Sequence, residues 1–139
     1  MALEIKILQR GDEDVLANVL PDVFDNPVNE KLSSEFLSDS RHHLAVAIDV
    51  GRVVGFASAV DYIHPDKSQD LWINEVRVSA TYRKRGLPKQ ILGTLLKVGR
   101  QLGCREVWVL TDRPNSAAMR VYESLGGKGT DHVMFTFKL

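Results

Sequence analysis

Residues 76–89 read VRVSATYRKRGLPK, and they decide the fold prediction. An apolar strand ends at Val78, a basic loop follows, and Gly86 stands at the mouth of a long helix. The first turn of a helix leaves backbone N–H groups unpaired and carries the positive end of the helix dipole, so it favours anions. Gly86 has no Cβ, which lets a phosphate approach the backbone. The stretch therefore predicts a strand, an anion-binding loop and a helix in succession, although a solvated basic loop explains it equally well.

The region after this loop predicts a parallel crossover. Residues 87–102 place apolar side chains on one broad face, as expected of an amphipathic helix packed on a core. A short apolar strand follows over residues 106–110 and is typical of a buried parallel strand. A helix over residues 115–125, stopped by Gly126-Gly127, and a last strand over residues 133–139 complete the chain.

The N-terminal half predicts antiparallel strands. Residues 4–9 alternate as in a strand, Asp12 can cap a first helix, and Asn26-Pro27 can start a second. Residues 43–49 and 52–62 form a hairpin around Val50-Gly51, and Gly55 indicates a bulge or a close backbone contact. With a strand over residues 70–78, the order is β-α-α-β-β-β-α-β-α-β. We therefore expect a single α/β (α+β) domain over residues 1–139, with central antiparallel strands and a C-terminal βαβ crossover.

Composition excludes several classes of function. The 139 residues include 18 Lys plus Arg and 18 Asp plus Glu, so no global field attracts nucleic acid or anionic lipid. No apolar run approaches a membrane span of roughly 20 residues, and the N-terminus lacks a signal-peptide core. Cys104 is the one cysteine, which excludes an intrachain disulfide and a multi-cysteine zinc site. We expect a cytoplasmic protein without a metal and without nucleic-acid or membrane partners.

A second informative segment spans residues 115–126, NSAAMRVYESLG. Asn115 can cap the helix, and Ala118 and Tyr122, four residues apart, lie on one helix face. By itself this segment is explained more simply by a half-buried tyrosine that binds water. Its combination with the basic loop gives it a functional interpretation.

Together the two segments resemble the GNAT superfamily of N-acetyltransferases, which use acetyl-CoA. Arg83-x-x-Gly86 is similar to the start of the family's Arg/Gln-x-x-Gly-x-Gly/Ala pyrophosphate loop. Residues 115–126 are similar to its Asn-x-x-Ala-x-x-x-Tyr-Glu-Lys-Leu-Gly signature. Pro88 departs from the family pattern and removes one N–H donor, while Gly126-Gly127 replaces the usual Gly-Phe.

The resemblance implies an enzyme that transfers the acetyl group of acetyl-CoA to a primary amine, by direct attack through a tetrahedral intermediate. Tyr122 matches the family tyrosine that protonates the leaving thiolate. Glu75 is the candidate base, with a solvated strand residue or an ion-pair partner of Arg77 as the alternatives. The residues implied in coenzyme binding are Val76, Arg77, Val78, Arg83, Lys84, Arg85, Gly86, Leu87, Lys89, Asn115, Ala118 and Tyr122.

A narrower resemblance concerns the acceptor. Residues 24–28, FDNPV, resemble a segment of type I aminoglycoside 3-N-acetyltransferases, which makes Asp25 and Glu75 candidate substrate-binding carboxylates. The substrate would then be a small polyamine or an aminoglycoside. The alternatives are a protein or peptide amine and a non-catalytic acetyl-CoA-binding regulatory protein, and a homodimer stays open. Other carboxylates that could surround a polycation are Asp22, Glu30, Asp61, Asp66 and Asp70.

Overall fold

A computed structural model describes residues 3–139 and contains one five-stranded sheet. Its strands lie in chain order: β1 (Glu4–Ile7), β2 (His42–Asp49), β3 (Arg52–Tyr62), β4 (Asp70–Val78) and β5 (Val107–Val109). The first four strands pair antiparallel, and β5 pairs parallel to β4. The mixed α/β class, the hairpin and the parallel crossover are therefore confirmed.

Three helices accompany the sheet: α1 (Glu30–Ser38), α2 (Leu87–Leu102) and α3 (Ser116–Ser124). The bounds of α2 equal the predicted ones. It begins after Gly86, whose φ of 72° is left-handed, and Pro88 lies in its first turn, where no N–H is needed. It ends at Gly103, also left-handed, whose N–H donates to the carbonyl of Arg100 at 3.1 Å.

Each face of the sheet carries its own core. On the α2 side, Ile91 and Leu95 of the helix pack with Leu71 of β4, all at 0% exposure. On the α1 side, Val23 and Phe56 are buried together with residues of β2. Two layers of side chains thus hold the strands from both faces.

The glycine predicted to mark a close backbone contact does so. A Cβ on Gly55 would lie 3.0 Å from Val78 Cγ2 and 3.2 Å from the carbonyl oxygen of Arg77. The ladder between β2 and β3 also shifts register beside it. This position therefore brings β3 tightly against β4.

The two early helices differ from their predictions, the first in type and length and the second in its start. After Asp12 there is only a 3-10 turn, Glu13–Ala17, because Val53 of β3 bonds to the carbonyl of Asn18 at 2.9 Å and draws the chain to the sheet. The Asp12 carboxylate accepts from the N–H of Gln9 instead of capping. Helix α1 begins at Glu30 and not at Asn26-Pro27, since Asn29 is the residue whose side chain caps it, accepting from the N–H of Leu32 at 2.9 Å.

The predicted last strand, residues 133–139, does not form. These residues are exposed, with Phe135 at 79% and Phe137 at 83%. The prediction that β5 is buried is also wrong, because Trp108 is 38% exposed and its neighbours are half-buried. Both errors share a cause: a strand needs a neighbour, and within residues 3–139 the outer edge of β5 has none.

Candidate active site

Strand β4 pairs with its parallel neighbour β5 over only part of its length. β5 pairs with β4 at residues Leu71, Trp72 and Ile73, whereas residues 74–78 of β4 pair with β3 alone. A gap therefore opens beside the second half of β4, at the carboxyl ends of two parallel strands. Open α/β sheets bind ligands at such ends, and the free edge of β4 can pair with an extended ligand.

An extra residue in β4 sets which side chains border this gap. Ser58 lies opposite Glu75 and Ala59 opposite Ile73, so Asn74 is a bulge. This bulge was not predicted from the sequence. Its signal was present, because the apolar alternation of the strand changes phase between Ile73 and Val76.

The bulge turns Glu75 and Arg77 to the α1 side of the sheet. Leu71 and Ile73 before it, and Val76 and Val78 after it, belong to the α2-side core. Since side chains alternate along a strand, Glu75 and Arg77 face the opposite side. Both are exposed there.

Arg77 pairs with Asp25 and not with Glu75. Its Nη2 lies 2.6 Å from Asp25 Oδ1. Asp25 reaches it because the adjacent Phe24 stacks on Phe56 of β3, with ring centroids 4.2 Å apart. The structure thus brings Asp25 to the edge of the gap, and it removes the alternative in which Arg77 neutralises Glu75.

The basic loop has the geometry of an anion site. Lys84 and Gly86 have positive φ values of 67° and 72°, which turn the loop sharply into α2. Arg85 lies over the ring of Tyr82 at 4.7 Å, and the Tyr82 hydroxyl donates to Asp49 at 2.5 Å. In the described part of the chain, the exposed side chains of the loop and first turn form no ion pair: Arg83, Lys84, Arg85 and Lys89.

Asp22 fixes the entrance of this loop, a role that the sequence analysis did not find. Its carboxylate accepts from the N–H of Ala80 at 2.9 Å. This bond, a hydrogen bond from Ser79 and the charge of Arg83 lower the pKa of Asp22. No local pattern could have revealed it, because the two partners are 58 residues apart in the chain.

Helix α3 places Tyr122 on the α2 side of the sheet. Asn115 caps the helix as predicted, its Oδ1 accepting from the N–H of Ala118 at 3.1 Å. Tyr122 is half-buried against the α2-side core, and burial raises the pKa of its phenol. Glu75 and Tyr122 therefore lie on opposite sides of the sheet.

The other carboxylates do not gather at this site. Asp61 pairs with His43 at 2.7 Å, and Asp70 pairs with His64 and Arg105, each at 3.0 Å. These pairs lie at the end of the sheet where β4 begins, away from the gap. Among the acidic residues considered for a polycation, Glu75 lies on the open segment of β4, Asp25 pairs with Arg77 of that segment, and Asp22 bonds to Ala80 just after it.

Within residues 3–139, no three His, Cys, Asp or Glu side chains lie together in a group that could hold a metal ion. The helices of this part of the chain are too short or too polar to span a bilayer.

Residues 14–127 match the model of the Acetyltransferase (GNAT) family. The chain belongs to the GNAT family. It is accordingly an acetyl-CoA-dependent N-acetyltransferase, as the basic loop and the α3 segment predicted. The exposed cations, the left-handed Gly86 and the open edge of β4 fit the diphosphate and the extended arm of this coenzyme.

Relatives of known activity include aminoglycoside enzymes. The GNAT chain is 32% identical over 99 residues to an aminoglycoside N(6')-acetyltransferase type 1 of Salmonella typhimurium, covering 67% of this chain and 68% of that protein. It is 28% identical over 105 residues to N-acetyltransferase 8 of Homo sapiens, covering 75% of this chain and 46% of that protein. Neither name concerns 3-N acetylation, so that narrower resemblance stays a prediction.

Solved structures share the fold. The aminoglycoside acetyltransferase meta-AAC0020 from a soil metagenomic sample, in complex with trehalose, superposes with a TM-score of 0.85 at 19% identity, covering 99% of this chain and 96% of that one. AAC(6')-Iy in complex with a bisubstrate analogue of CoA superposes with a TM-score of 0.81 at 21% identity, covering 100% and 99%. These likenesses support the GNAT fold across the whole chain.

Proposed function

We propose that this GNAT enzyme acetylates a primary amine of a small polycation of the aminoglycoside type. The observation that carries the proposal is the gap beside β4, with Glu75 on the α1 side of the sheet and Tyr122 on the α2 side. The names of the relatives, aminoglycoside acetyltransferases, support the same substrate class. A second carboxylate, Asp25, stands on the Glu75 side and suits a substrate with several ammonium groups.

Acetyl-CoA supplies the acetyl group as a thioester, and the chain holds it at two places. The N–H groups of Gly86, Leu87 and Lys89 point out of the first turn of α2 toward the diphosphate, with the loop side chains Arg83, Lys84 and Arg85 around it. Pro88 contributes no donor there. The backbone of residues 76–78 pairs with the pantetheine arm, and one of its N–H groups stabilises the oxyanion.

Proton transfer is divided between the two faces. Glu75 takes the proton of the acceptor ammonium, directly or through one water, so that a neutral amine can attack. Tyr122 donates its phenolic proton to the departing sulfur. Because burial raises its pKa above the usual value of 10.0, Tyr122 stays protonated throughout the neutral range.

Asp25 binds a second ammonium group of the substrate. Arg77 occupies its Oδ1, but a carboxylate accepts hydrogen bonds on both oxygens, so Oδ2 can take an ammonium N–H. The Arg77 contact then orients the carboxylate toward the acceptor. The proposal places the enzyme in the cytoplasm, without nucleic-acid or membrane partners.

The test is release of the CoA thiol from acetyl-CoA against aminoglycosides, polyamines, amino acids and short peptides, with a no-amine control. We expect turnover on the polycationic amines. Glu75→Gln should lower kcat/KM by about 10²-fold, the usual contribution of a general base, while the matched variant Glu4→Gln on β1 stays at the wild-type rate.

Other outcomes would contradict the proposal. Turnover confined to peptides would identify a protein or peptide amine as the acceptor. Silence on every amine, with acetyl-CoA still raising the Tm, would indicate a coenzyme-binding regulatory protein. An unchanged Glu75→Gln rate would remove Glu75 as the base.

A further inference from the structure

Tyr82 is a half-buried residue at the base of the basic loop. It ends a short 3-10 turn, Ala80–Tyr82, and its ring packs against the α2-side core, whereas residues 83–86 are exposed. Its N–H donates to the carbonyl of Ser79 at 2.9 Å, which ties its backbone to the residue that follows β4. The ring therefore has a fixed position from which the exposed loop begins.

The hydroxyl of Tyr82 is held by the hairpin of β2 and β3. It donates to Asp49 Oδ2 at 2.5 Å, across 33 positions of the sequence. Asp49 ends β2, and Val50 and Gly51, with φ values of 52° and 73°, form the two-residue turn that follows it. Asp49 also lies opposite Arg52 in the ladder, but among the described residues no ion pair joins these two side chains. Its carboxylate is thus directed to Tyr82.

The bond between Tyr82 and Asp49 is strong at neutral pH. A hydroxyl that donates to a carboxylate forms a charge-assisted bond, roughly twice as strong as a bond between neutral groups. The hydrogen bond to Asp49, together with burial and the Asp49 charge, raises the pKa of Tyr82 above its usual value of 10.0. The phenol therefore stays protonated and donates throughout the neutral range.

Arg85 folds back over the ring of Tyr82. Its guanidinium carbon lies 4.7 Å from the ring centroid, within the roughly 6 Å of a cation–π contact. The left-handed Lys84, with a φ of 67°, turns the backbone between them. Such a φ is uncommon outside glycine, so the stack stabilises a turn that the backbone alone disfavours.

The stack leaves the hydrogen-bond donors of Arg85 free. A guanidinium is planar, so stacking uses its face while its N–H groups point outward in its plane. In the described part of the chain, Arg85 is exposed and forms no ion pair. A flexible arginine loses rotational freedom when it binds a ligand. A stacked guanidinium has lost part of that freedom beforehand, which favours binding.

We propose that Tyr82 is a positioning residue for the coenzyme: its ring holds Arg85 beside Gly86 at the start of α2, where the guanidinium binds the diphosphate of acetyl-CoA. Asp49 fixes the ring in turn. The inference rests on the proposed function, which puts the diphosphate at this loop. Arg83, in the same loop, lies over no aromatic ring within residues 3–139, so its charge acts without this preorganisation.

The test is a double-mutant cycle on the Kd of acetyl-CoA, measured by isothermal titration calorimetry without an acceptor amine. Arg85→Ala should weaken binding about tenfold, as expected for a charge-assisted contact, and Tyr82→Leu about fivefold. The double variant should bind no more weakly than Arg85→Ala, because the ring acts only through the guanidinium. Tyr82→Phe keeps the ring and should lose at most about twofold.

Two controls separate positioning from folding. Tyr62→Leu removes a half-buried tyrosine that lies opposite Asp70, at the end of the sheet where β4 begins, and it should leave the Kd unchanged. Pantetheine lacks the phosphates, so it should bind the wild type and Tyr82→Leu with equal affinity.

Three results would overturn the inference. One is a loss in the double variant that equals the product of the single losses, about 50-fold. A second is an equal loss of pantetheine and acetyl-CoA affinity in Tyr82→Leu, since the ring would then support only the fold. The third is a wild-type Kd in Arg85→Ala; if Arg83→Ala also keeps it, the placement of the diphosphate at the loop fails as well, and if Arg83→Ala weakens binding, the inference alone fails.

Discussion

Residues 3–99 bury a core on both faces of the sheet, whereas residues 100–139 bury none. Leu95 is 0% exposed and Phe56 is 2% exposed in the first region, while Phe137 is 83% exposed in the second. The first region contains three antiparallel ladders and α2. The second contributes only a three-residue strand, a short helix and the C-terminal tail, residues 133–139. The first region therefore contains the buried core, and the second adds only half-buried and exposed side chains to it.

The proposed active site lies on the border between these regions. Glu75 belongs to the first region and Tyr122 to the second, with the gap between β4 and β5 separating them. A ligand that pairs with β4 and contacts α3 links the two. Since a ligand that binds only the folded state stabilises it, acetyl-CoA should order the second region most.

The largest effect should come from truncating a core side chain of the first region. Leu95→Ala should lower the free energy of unfolding by about 2–5 kcal/mol, the range for fully buried leucines. Leu110→Ala, in the second region, should change it by less than about 0.5 kcal/mol, because Leu110 is 45% exposed. Urea unfolding followed by circular dichroism measures both.

Equal costs for these two substitutions would contradict the contrast between the regions. Leu110 would then be buried in the single chain. A near-zero cost for Leu95→Ala would instead mean that the α2-side core repacks around the lost volume.

Local signals in the sequence predicted the strands of the first region and the crossover, but not the 3-10 turn after Asp12 or the start of α1. The bounds of α2 and β4 were predicted without error, because Gly86, Pro88 and Gly103 mark the helix ends and residues 64–69 form a polar loop before the strand. The α3 cap was also predicted, since Asn115 provides its own hydrogen bond. What failed was the tail: its alternation is correct for a strand, but a strand exists only when a neighbour pairs with it.

The candidate site was predictable where its parts are contiguous in sequence. The basic loop and the α3 segment are such parts. The ion pair of Asp25 with Arg77 and the bond of Asp22 to Ala80 are not, because each joins the segment before α1 to residues more than fifty positions later. Their formation depends on how this segment docks on β3, which no local pattern encodes.

Tyr122→Phe should change the rate and leave the stability nearly unaltered. We expect kcat to fall by about 10²-fold, since a general acid contributes 10²–10⁴-fold. The free energy of unfolding should change by less than about 0.5 kcal/mol, because the hydroxyl makes no hydrogen bond within the described residues and the ring is kept. Steady-state kinetics and the Kd for acetyl-CoA measure the two effects separately.

The pH profile sharpens the assignment of Tyr122. Because burial raises its pKa, the wild type should lose activity to its deprotonation only above pH 10.0, and Tyr122→Phe should be slow at every pH. Equal losses of coenzyme affinity and turnover would show instead that the phenol is structural. The second region would then contribute no catalytic group.

The smallest expected effect on stability concerns Asp22. Its exposed carboxylate holds the loop before α2 through a hydrogen bond and its charge. The Ala80 N–H, the Ser79 hydrogen bond and the charge of Arg83 lower its pKa below the usual 3.8. A depressed folded pKa adds stability that is fully present above the unfolded value and is lost as the pH falls through the folded value. The wild type should therefore melt slightly above Asp22→Asn at pH 7, and the difference should shrink below pH 3.8. Solvent screens this exposed carboxylate, so the difference in Tm between the wild type and Asp22→Asn should be well below the difference caused by Leu95→Ala. A difference in Tm of the same size at both pH values would mean that the side chain acts through shape and hydrogen bonding alone.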